Sequence, residues 1–375
     1  MSNFTYLDNA ATTLIKPRAV AEAVKNAVGS LASPGRGGHR ASMRAAEVAL
    51  NCRELAARLF NVADPANVVF THNATHALNI AIKSLAAQDS RVVVSGYEHN
   101  SVMRPLRAGG ANVHIARSAL FDAEGAVAAF RAALDDGADL VVTTHMSNVF
   151  GFVLPLERIA ALCRERGVPL IIDASQSAGS VMLDAAALGA DFIAMPGHKG
   201  LYGPQGTGLL LCRDADAPMS GLLQGGSGSD SLSDAMPAFL PDALEAGTHN
   251  MVGIAGLRES LRFVLARGVT QIGEHSARLI AAARRELTAL PNLTVYGAET
   301  AHSGALSFTH AHLDCETLAA RLDERGIAVR AGLHCAPEAH RTAGTLDMGT
   351  VRVSVSAFTT ERDLARLVDA LRNGS

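Results

Sequence analysis

Ala194-Met195-Pro196-Gly197-His198-Lys199-Gly200, with Tyr202-Gly203-Pro204-Gln205-Gly206-Thr207-Gly208 just behind it, is the stretch from which the rest of the chain is read. The apolar run Asp191–Met195 precedes it and Gly208–Cys212 follows, so Lys199 falls in a glycine-rich turn between two buried strands. A lysine held there is partly stripped of water, which lowers its pKa and frees the amine for Schiff-base chemistry. Taken alone, the heptapeptide fits a lysine on an exposed loop equally well. The surrounding chain decides between them.

Upstream, strand and helix alternate. Apolar runs place strands near Asn67–Thr71, Arg91–Ser95, Asn112–Ile115, Asp139–Thr144, Val168–Asp173, Asp191–Met195 and Gly208–Cys212. Helical stretches such as Asn73–Ala87, Ala123–Leu134 and Leu156–Arg166 separate them. Continuous Val/Ile/Leu runs between helices predict an α/β fold: a mostly parallel central sheet covered by helices on both faces. Before it, Pro17 opens a helix ending near Gly29, and a longer amphipathic helix covers Ser42–Phe60. The loop Ser33–Arg40 between them joins three glycines to Arg36, His39 and Arg40, which suits an anion-facing loop or a plain solvated linker.

Ligands in such folds lie beyond the carboxyl ends of the strands, and four of those ends carry chemistry. Thr71-His72-Asn73-Ala74-Thr75 opens a helix whose free amides and Thr75 hydroxyl suit a phosphate, although Asn73 also serves as an ordinary N-cap. Glu98-His99-Asn100-Ser101 brings an imidazole, and His145-Met146-Ser147-Asn148 an amide. Asp173-Ala174-Ser175-Gln176 ends an apolar strand in a carboxylate that is costly to bury without a cationic partner. A protonated pyridine nitrogen is such a partner. Lysine for an aldehyde, Asp173 for a ring nitrogen, a histidine for the ring face and a helix N-terminus for a phosphate together are what pyridoxal 5'-phosphate (PLP) requires.

Composition narrows the classes. The 375 residues, 48% hydrophobic and 18% charged, suffice for two domains with sizeable cores and exclude disordered and fibrous classes. A net charge of -3, no basic cluster interleaved with aromatics and no Trp argue against nucleic-acid binding. Neither a signal peptide nor a membrane span is apparent, so a cytoplasmic location is expected. Five widely spaced cysteines without a C-x-x-C pair argue against a disulfide framework or a cysteine-rich zinc site. No G-x-G-x-x-G, P-loop or nucleophile elbow occurs.

From about Met251 the pattern changes. Helices Val252–Ala266 and Gln271–Leu290 lead into strands near Leu293–Tyr296, Ala305–Thr309, Gly326–Arg330 and Val351–Val355, with helices Cys315–Arg325 and Glu361–Leu371, a smaller α+β arrangement. The segment Gln224–Ser233 is the candidate mobile or subunit-bridging loop. Arg352, in a strand otherwise of Val and Ser, needs an anionic partner, and a substrate carboxylate in a bidentate fork suits it. Cys335, flanked by His334 with Arg330 nearby, is a candidate nucleophile or an inert loop thiol. His310, His312, Asp314 and Cys315 resemble a metal set without a matching second pair; Asp314 fits a helix N-cap better, and no metal is expected.

These motifs resemble the class V aminotransferase-like family of PLP enzymes (fold type I), and within it the cysteine desulfurases, nearly from end to end. They run from Tyr6-Leu7-Asp8-Asn9-Ala10-Ala11-Thr12-Thr13 through Glu98-His99-Asn100, Ser147-Asn148-Val149, Asp173-Ala174-Ser175-Gln176, Gly197-His198-Lys199 and Glu245-Ala246-Gly247-Thr248 to Arg330-Ala331-Gly332-Leu333-His334-Cys335-Ala336. The resemblance implies a large PLP-binding domain over 15–250 and a small domain formed by 1–14 with 251–375. It implies that Lys199 carries the cofactor, that Asp173 pairs with the ring nitrogen and His99 stacks on the ring, and that Asn148 and Gln176 face the phenolic oxygen. Ala74, Thr75 and His198 then hold the phosphate, with Thr248 reaching the partner's site in a homodimer. Lys199, Cys335 and His99 become catalytic; Arg352, Arg330 and Asn148 bind substrate.

The activity so implied takes sulfur from L-cysteine, leaves a persulfide on Cys335 and releases alanine, feeding sulfur mobilisation such as iron–sulfur cluster assembly through a protein acceptor. Selenocysteine cleavage, β-elimination or aminotransfer on the same scaffold is the alternative. Two positions depart from the family pattern: His76 follows Thr75 where a Glu is common, and Pro196 replaces a hydroxyl residue two before His198.

Overall fold

Strand and helix boundaries follow the apolar runs and the caps that close them. A computed structural model describes residues 4–34, 37–214, 219–229, 232–297 and 304–373. Residues 35 and 36 of the loop 33–40, and residues 230 and 231 of the segment 224–233, lie outside that set. The chain opens with a two-residue strand β1 (Thr5–Tyr6) and helices α1 (Arg18–Val28) and α2 (Arg40–Phe60).

It then alternates through β2 (Val68–Thr71), α3 (Ala74–Leu85), β3 (Arg91–Ser95), α4 (Asn100–Ala108), β4 (Asn112–Ala116), α5 (Ala123–Asp135), β5 (Leu140–Thr144), α6 (Leu156–Arg166), β6 (Leu170–Asp173), α7 (Ala185–Leu188), β7 (Phe192–Pro196) and β8 (Gly208–Cys212). These strands form one seven-stranded sheet in the order β2-β8-β7-β6-β5-β3-β4, parallel except for β8, which runs antiparallel to both neighbours. The expected mostly parallel α/β sheet is present.

Every residue of β5, β6, β7 and β8 is buried, because helices cover both faces. Ile171 faces a core shared with Leu78 of α3 and Leu106 of α4, while its neighbour Ile172 faces Phe130 of α5 and Ile159 of α6. Register aligns Thr144 with Asp173 and Asp173 with Ala194, so the carboxyl ends of β5, β6 and β7 share one edge. At that edge Gly208 lets the start of α3 come close: a Cβ there would lie 2.8 Å from the carbonyl carbon of Asn73.

Past the sheet come α8 (Met251–Arg267), α9 (Val269–Thr288), β9 (Leu293–Tyr296), β10 (Ala305–His310), α10 (Cys315–Asp323), β11 (Ile327–Ala328), β12 (Arg330–Gly332), α11 (Pro337–Ala343), β13 (Thr350–Ser354) and α12 (Glu361–Arg372). A four-stranded antiparallel sheet, β12-β13-β10-β9, packs Phe308, Val351 and Val353 against Leu287 of α9, Leu318 of α10 and Leu367 of α12. The single strand expected over Gly326–Arg330 is instead two. β11 pairs with β1 of the N-terminal segment, whereas β12 pairs with β13, so the chain changes partner at Val329.

Helix α8 packs along α1 and α2, and Gly256 permits the approach, since a Cβ there would lie 2.8 Å from Val24. We propose that the division between the two units falls at Gly268, the single residue between α8 and α9, rather than at 250/251.

One buried ion pair braces α2 against the large sheet. Arg53 lies 4.1 Å over the Phe70 ring and meets Glu245 at 2.6 Å, with the Glu245 side chain 4% exposed. Burial alone raises the Glu245 pKa, but His249 and Arg53 outweigh it and hold the carboxyl below its usual range. Glu245→Ala strands the guanidinium and is expected to cost about 3–5 kcal/mol, seen as a lower urea midpoint at unchanged slope. Arg53→Met combined with Glu245→Leu is expected to cost much less than the single change.

Candidate active site

Four strand ends and one turn build the site. Beyond Pro196 the chain folds back on itself: the N–H of Gly203 donates to Gly197 O at 2.7 Å and that of Tyr202 to Lys199 O at 2.8 Å. The N-terminal segment clamps this turn. Both the N–H and the hydroxyl of Thr13 donate to His198 O, at 3.1 and 3.0 Å, and Lys16 Nζ reaches the same oxygen at 3.1 Å. Lys199 therefore projects from a fixed backbone into a cavity of about 480 Å³.

Asp173 is 2% exposed at the edge of that cavity, its Oδ1 accepting from the N–H of Ser175 at 2.9 Å. Among the described residues no lysine, arginine or histidine forms an ion pair with it. Ala74, Thr75, His99, Asn148, Gln176 and His198 line the same cavity, so eight of the expected residues converge. Asn73 caps α3, its Oδ1 accepting from His76 N at 2.9 Å, which leaves the first amides of the helix at the cavity. Gln176 donates to Ala10 O at 3.0 Å, and His198 Nδ1 lies 3.0 Å from Thr12 Oγ1, so the N-terminal segment also orients both side chains.

Burial dominates the charge states. It pulls the Lys199 amine down to about 8, with Arg352 and Arg330 pulling the same way and Asp173 opposing. It also pulls His99 and His198 down to about 4, so both imidazoles are neutral near pH 7. His99 caps α4, accepting at Nδ1 from the N–H of Ser101 at 3.0 Å, which puts its proton on Nε2. Glu98, fully buried, accepts at Oε1 from Thr144 N at 2.9 Å and from the Ser95 hydroxyl, while Oε2 has no partner among the described residues. Burial pushes its carboxyl up to about 8, so it holds a proton.

Cys335 occupies the short connection between β12 and α11, and it is exposed. His334 and Cys335 both adopt left-handed backbone, with φ of 50° and 57°. Two anchors hold that shape: Asn148 Nδ2 donates to His334 O at 2.8 Å, and the N–H of Asn100 donates to Cys335 O at 2.7 Å. The imidazole of His334 turns inward, 3.2 Å from Thr350 O, and burial takes its pKa down to about 2. It therefore lends the neighbouring thiol no positive charge, and of the two flanking cationic residues only Arg330 supplies one.

Arg352 has an anionic partner inside the chain. Its Nη2 meets Asp8 Oδ1 at 2.6 Å, Nη1 donates to Asn148 O at 2.9 Å, Nε has no partner among the described residues, and the side chain is 2% exposed. Arg330, exposed, lies 3.8 Å from the other Asp8 oxygen. Asp8 and Glu98 stand inside motifs of the sequence with nothing there to mark a role for either. An arginine inside an apolar strand signals a buried acid without naming it, and the pairing bridges 344 residues.

Thr248 does not line this cavity. It is exposed at a second one, of about 520 Å³, beside His72, His76 and His249. There His76 stacks on His72 with ring centroids 5.0 Å apart and accepts at Nδ1 from His72 N at 3.3 Å.

The aminotransferase class-V family matches residues 5–367. A probable cysteine desulfurase of Methanothermobacter thermautotrophicus is 33% identical over 99% of this chain and 94% of its own. A cysteine desulfurase of Salmonella gallinarum is 31% identical over 98% and 92%. Among solved structures, the apo cysteine desulfurase of Thermococcus onnurineus NA1 superposes with a TM-score of 0.90 at 28% identity, covering 99% of this chain and 94% of that one. The cysteine desulfurase CsdA of Escherichia coli, an S-sulfonic acid form, gives 0.87 at 27%, covering 99% and 94%.

Because His99, His198 and His334 fold with depressed pKa values, the unfolded chain binds protons that the folded one does not as pH falls from about 6.5 towards 4. Stability is expected to decline over that window. Imidazole proton resonances assigned by single replacements are expected to show no titration of these three between pH 5 and 8.

Proposed function

Because the chain belongs to the aminotransferase class-V family, we propose that it is a PLP-dependent cysteine desulfurase, converting L-cysteine to L-alanine with the sulfur passing to Cys335. One observation carries the reading: a buried carboxylate with no ion-paired cation among the described residues and a lysine of lowered pKa open onto the same cavity. That donor set fits PLP. Asp173 suits a protonated ring nitrogen, Lys199 an aldehyde carbon, and the uncapped amides at Ala74 and Thr75 with His198 a phosphate. His99 would lie on the ring, with Asn148 and Gln176 toward its phenolic oxygen. When bound, the cofactor withdraws electrons from the substrate's α-carbon.

The chain's own groups do the remainder. Arg352 and Arg330, sharing Asp8 between them, carry one positive charge in excess, which suits the single α-carboxylate of cysteine. Near pH 8 the neutral Lys199 amine takes the α-proton. Neutral His99, with its proton on Nε2, donates a hydrogen bond without adding charge. The Cys335 thiolate attacks the substrate sulfur, the carbon–sulfur bond breaks, and alanine leaves once its carbon is reprotonated. Thr248, remote from this cavity in its own chain, supports a homodimer in which it completes the second copy's phosphate site. Five free cysteines suit a reducing compartment, and we place the enzyme in the cytoplasm.

Alanine release from L-cysteine with a thiol reductant present is the decisive assay. Cys335→Ala is expected to keep the visible absorption of the bound cofactor and lose alanine formation by at least about a hundredfold; full activity in that variant sinks the role. Lys199→Ala is expected to abolish the visible band. The neutral fraction of Lys199 rises about tenfold per pH unit below 8. PLP uptake by cofactor-free protein is therefore expected to accelerate from pH 6 to 8 and then level off, and a flat profile contradicts the assignment.

A further inference from the structure

Beside the cysteine loop, outside the cavity, runs an open groove of about 1080 Å³ between α4, the end of β4 and α11. Arg104 and Arg107 of α4, Arg117 after β4 and Arg341 of α11 line it, over Met103 and Pro337. All four arginines are exposed. Glu338 is the one acid in the lining; its buried carboxylate is shared between Arg117 at 2.7 Å and Arg341 at 2.6 Å. Arg104 and Arg107 have no carboxylate partner among the described residues. Four cations against one anion leave three positive charges concentrated here, on a chain whose net charge is -3. The groove adjoins the thiol directly: α4 begins at Asn100, whose N–H holds Cys335 O, and α11 begins two residues after Cys335.

We propose that this groove docks an acidic polypeptide segment flanking the acceptor cysteine of a second protein, which takes the sulfur from Cys335. The proposal rests on the desulfurase reading above. The acceptor thiolate attacks the outer sulfur of the Cys335 persulfide, the enzyme's sulfur–sulfur bond breaks, and a new one forms on the acceptor. The proton given up by the acceptor thiol balances the one taken up as Cys335 returns to a thiol, with no net oxidation. A nucleic acid is the less suitable occupant. No aromatic ring lines the groove for bases to stack on, and a nucleic acid brings no thiol to receive the sulfur.

Three synthetic peptides test this, each with one cysteine flanked by Glu, by Gln or by Lys. Fluorescence anisotropy of their serine versions reads binding, and labelled sulfur from L-cysteine reads transfer. At about 0.05 M salt the Glu peptide is expected to bind and accept sulfur at least about tenfold better than the Gln peptide, an advantage lost at about 0.5 M. The double change Arg104→Gln with Arg107→Gln is expected to abolish the preference while alanine formation with a small thiol reductant stays at the wild-type rate. Equal handling of Glu and Gln peptides overturns the proposal, as does a preference that survives in the double variant. So does a single-stranded oligonucleotide that displaces the Glu peptide at lower concentration than free Glu peptide does. Failure of the desulfurase reading shows separately, as no alanine from wild-type enzyme, a measurement that peptide binding does not enter.

Discussion

The guanidinium of Arg352 is the group on which the arrangement depends. Desolvating an arginine costs several kcal/mol unless acceptors surround it, and here they come from two distant segments, Asp8 near the N-terminus and the Asn148 carbonyl beyond β5. Asn148 in turn holds the His334 carbonyl, and the start of α4 holds that of Cys335. The N-terminal segment, the large sheet, the small sheet and the cysteine loop thus meet through one cation.

Much of the fold was legible because buried parallel strands are apolar throughout and leave little else for such runs to form. Leu156–Arg166 is legible to the residue, since Pro155 and the left-handed Gly167 bracket it. α4 leaves no clear signal in the sequence: it is short, carries Pro105 inside, and buries only a few apolar side chains. α11 begins just past the cysteine, in a stretch without helical periodicity long enough to register. Asp173 and Lys199 stood out because a charged residue ending an apolar strand has few innocuous explanations. Asp8 did not, because its partner lies at the other end of the chain. The inward turn of His334 was equally unreadable, since it depends on a hydrogen bond to Thr350.

Burial sorts the titratable groups around the cavity into a narrow set of charges. Glu98 keeps its proton, sparing the buried strand ends a second negative charge near Asp173. His99 and His198 are neutral near pH 7, and burial brings the Lys199 amine down to about 8. Such an arrangement concentrates the site's charge on Asp173 and on the cluster of Asp8 with two arginines, leaving the imidazoles as hydrogen-bonding groups.

The connection that carries Cys335 is only four residues long, Leu333 to Ala336, and both of its central carbonyls are tied down. Even fully extended, four residues span roughly 13–14 Å, and a pinned, left-handed turn spans far less. The thiol therefore cannot serve as a swinging arm that carries its cargo out to a flat surface. Because the thiol is exposed on that fixed loop, whatever reacts with it has to come to the loop.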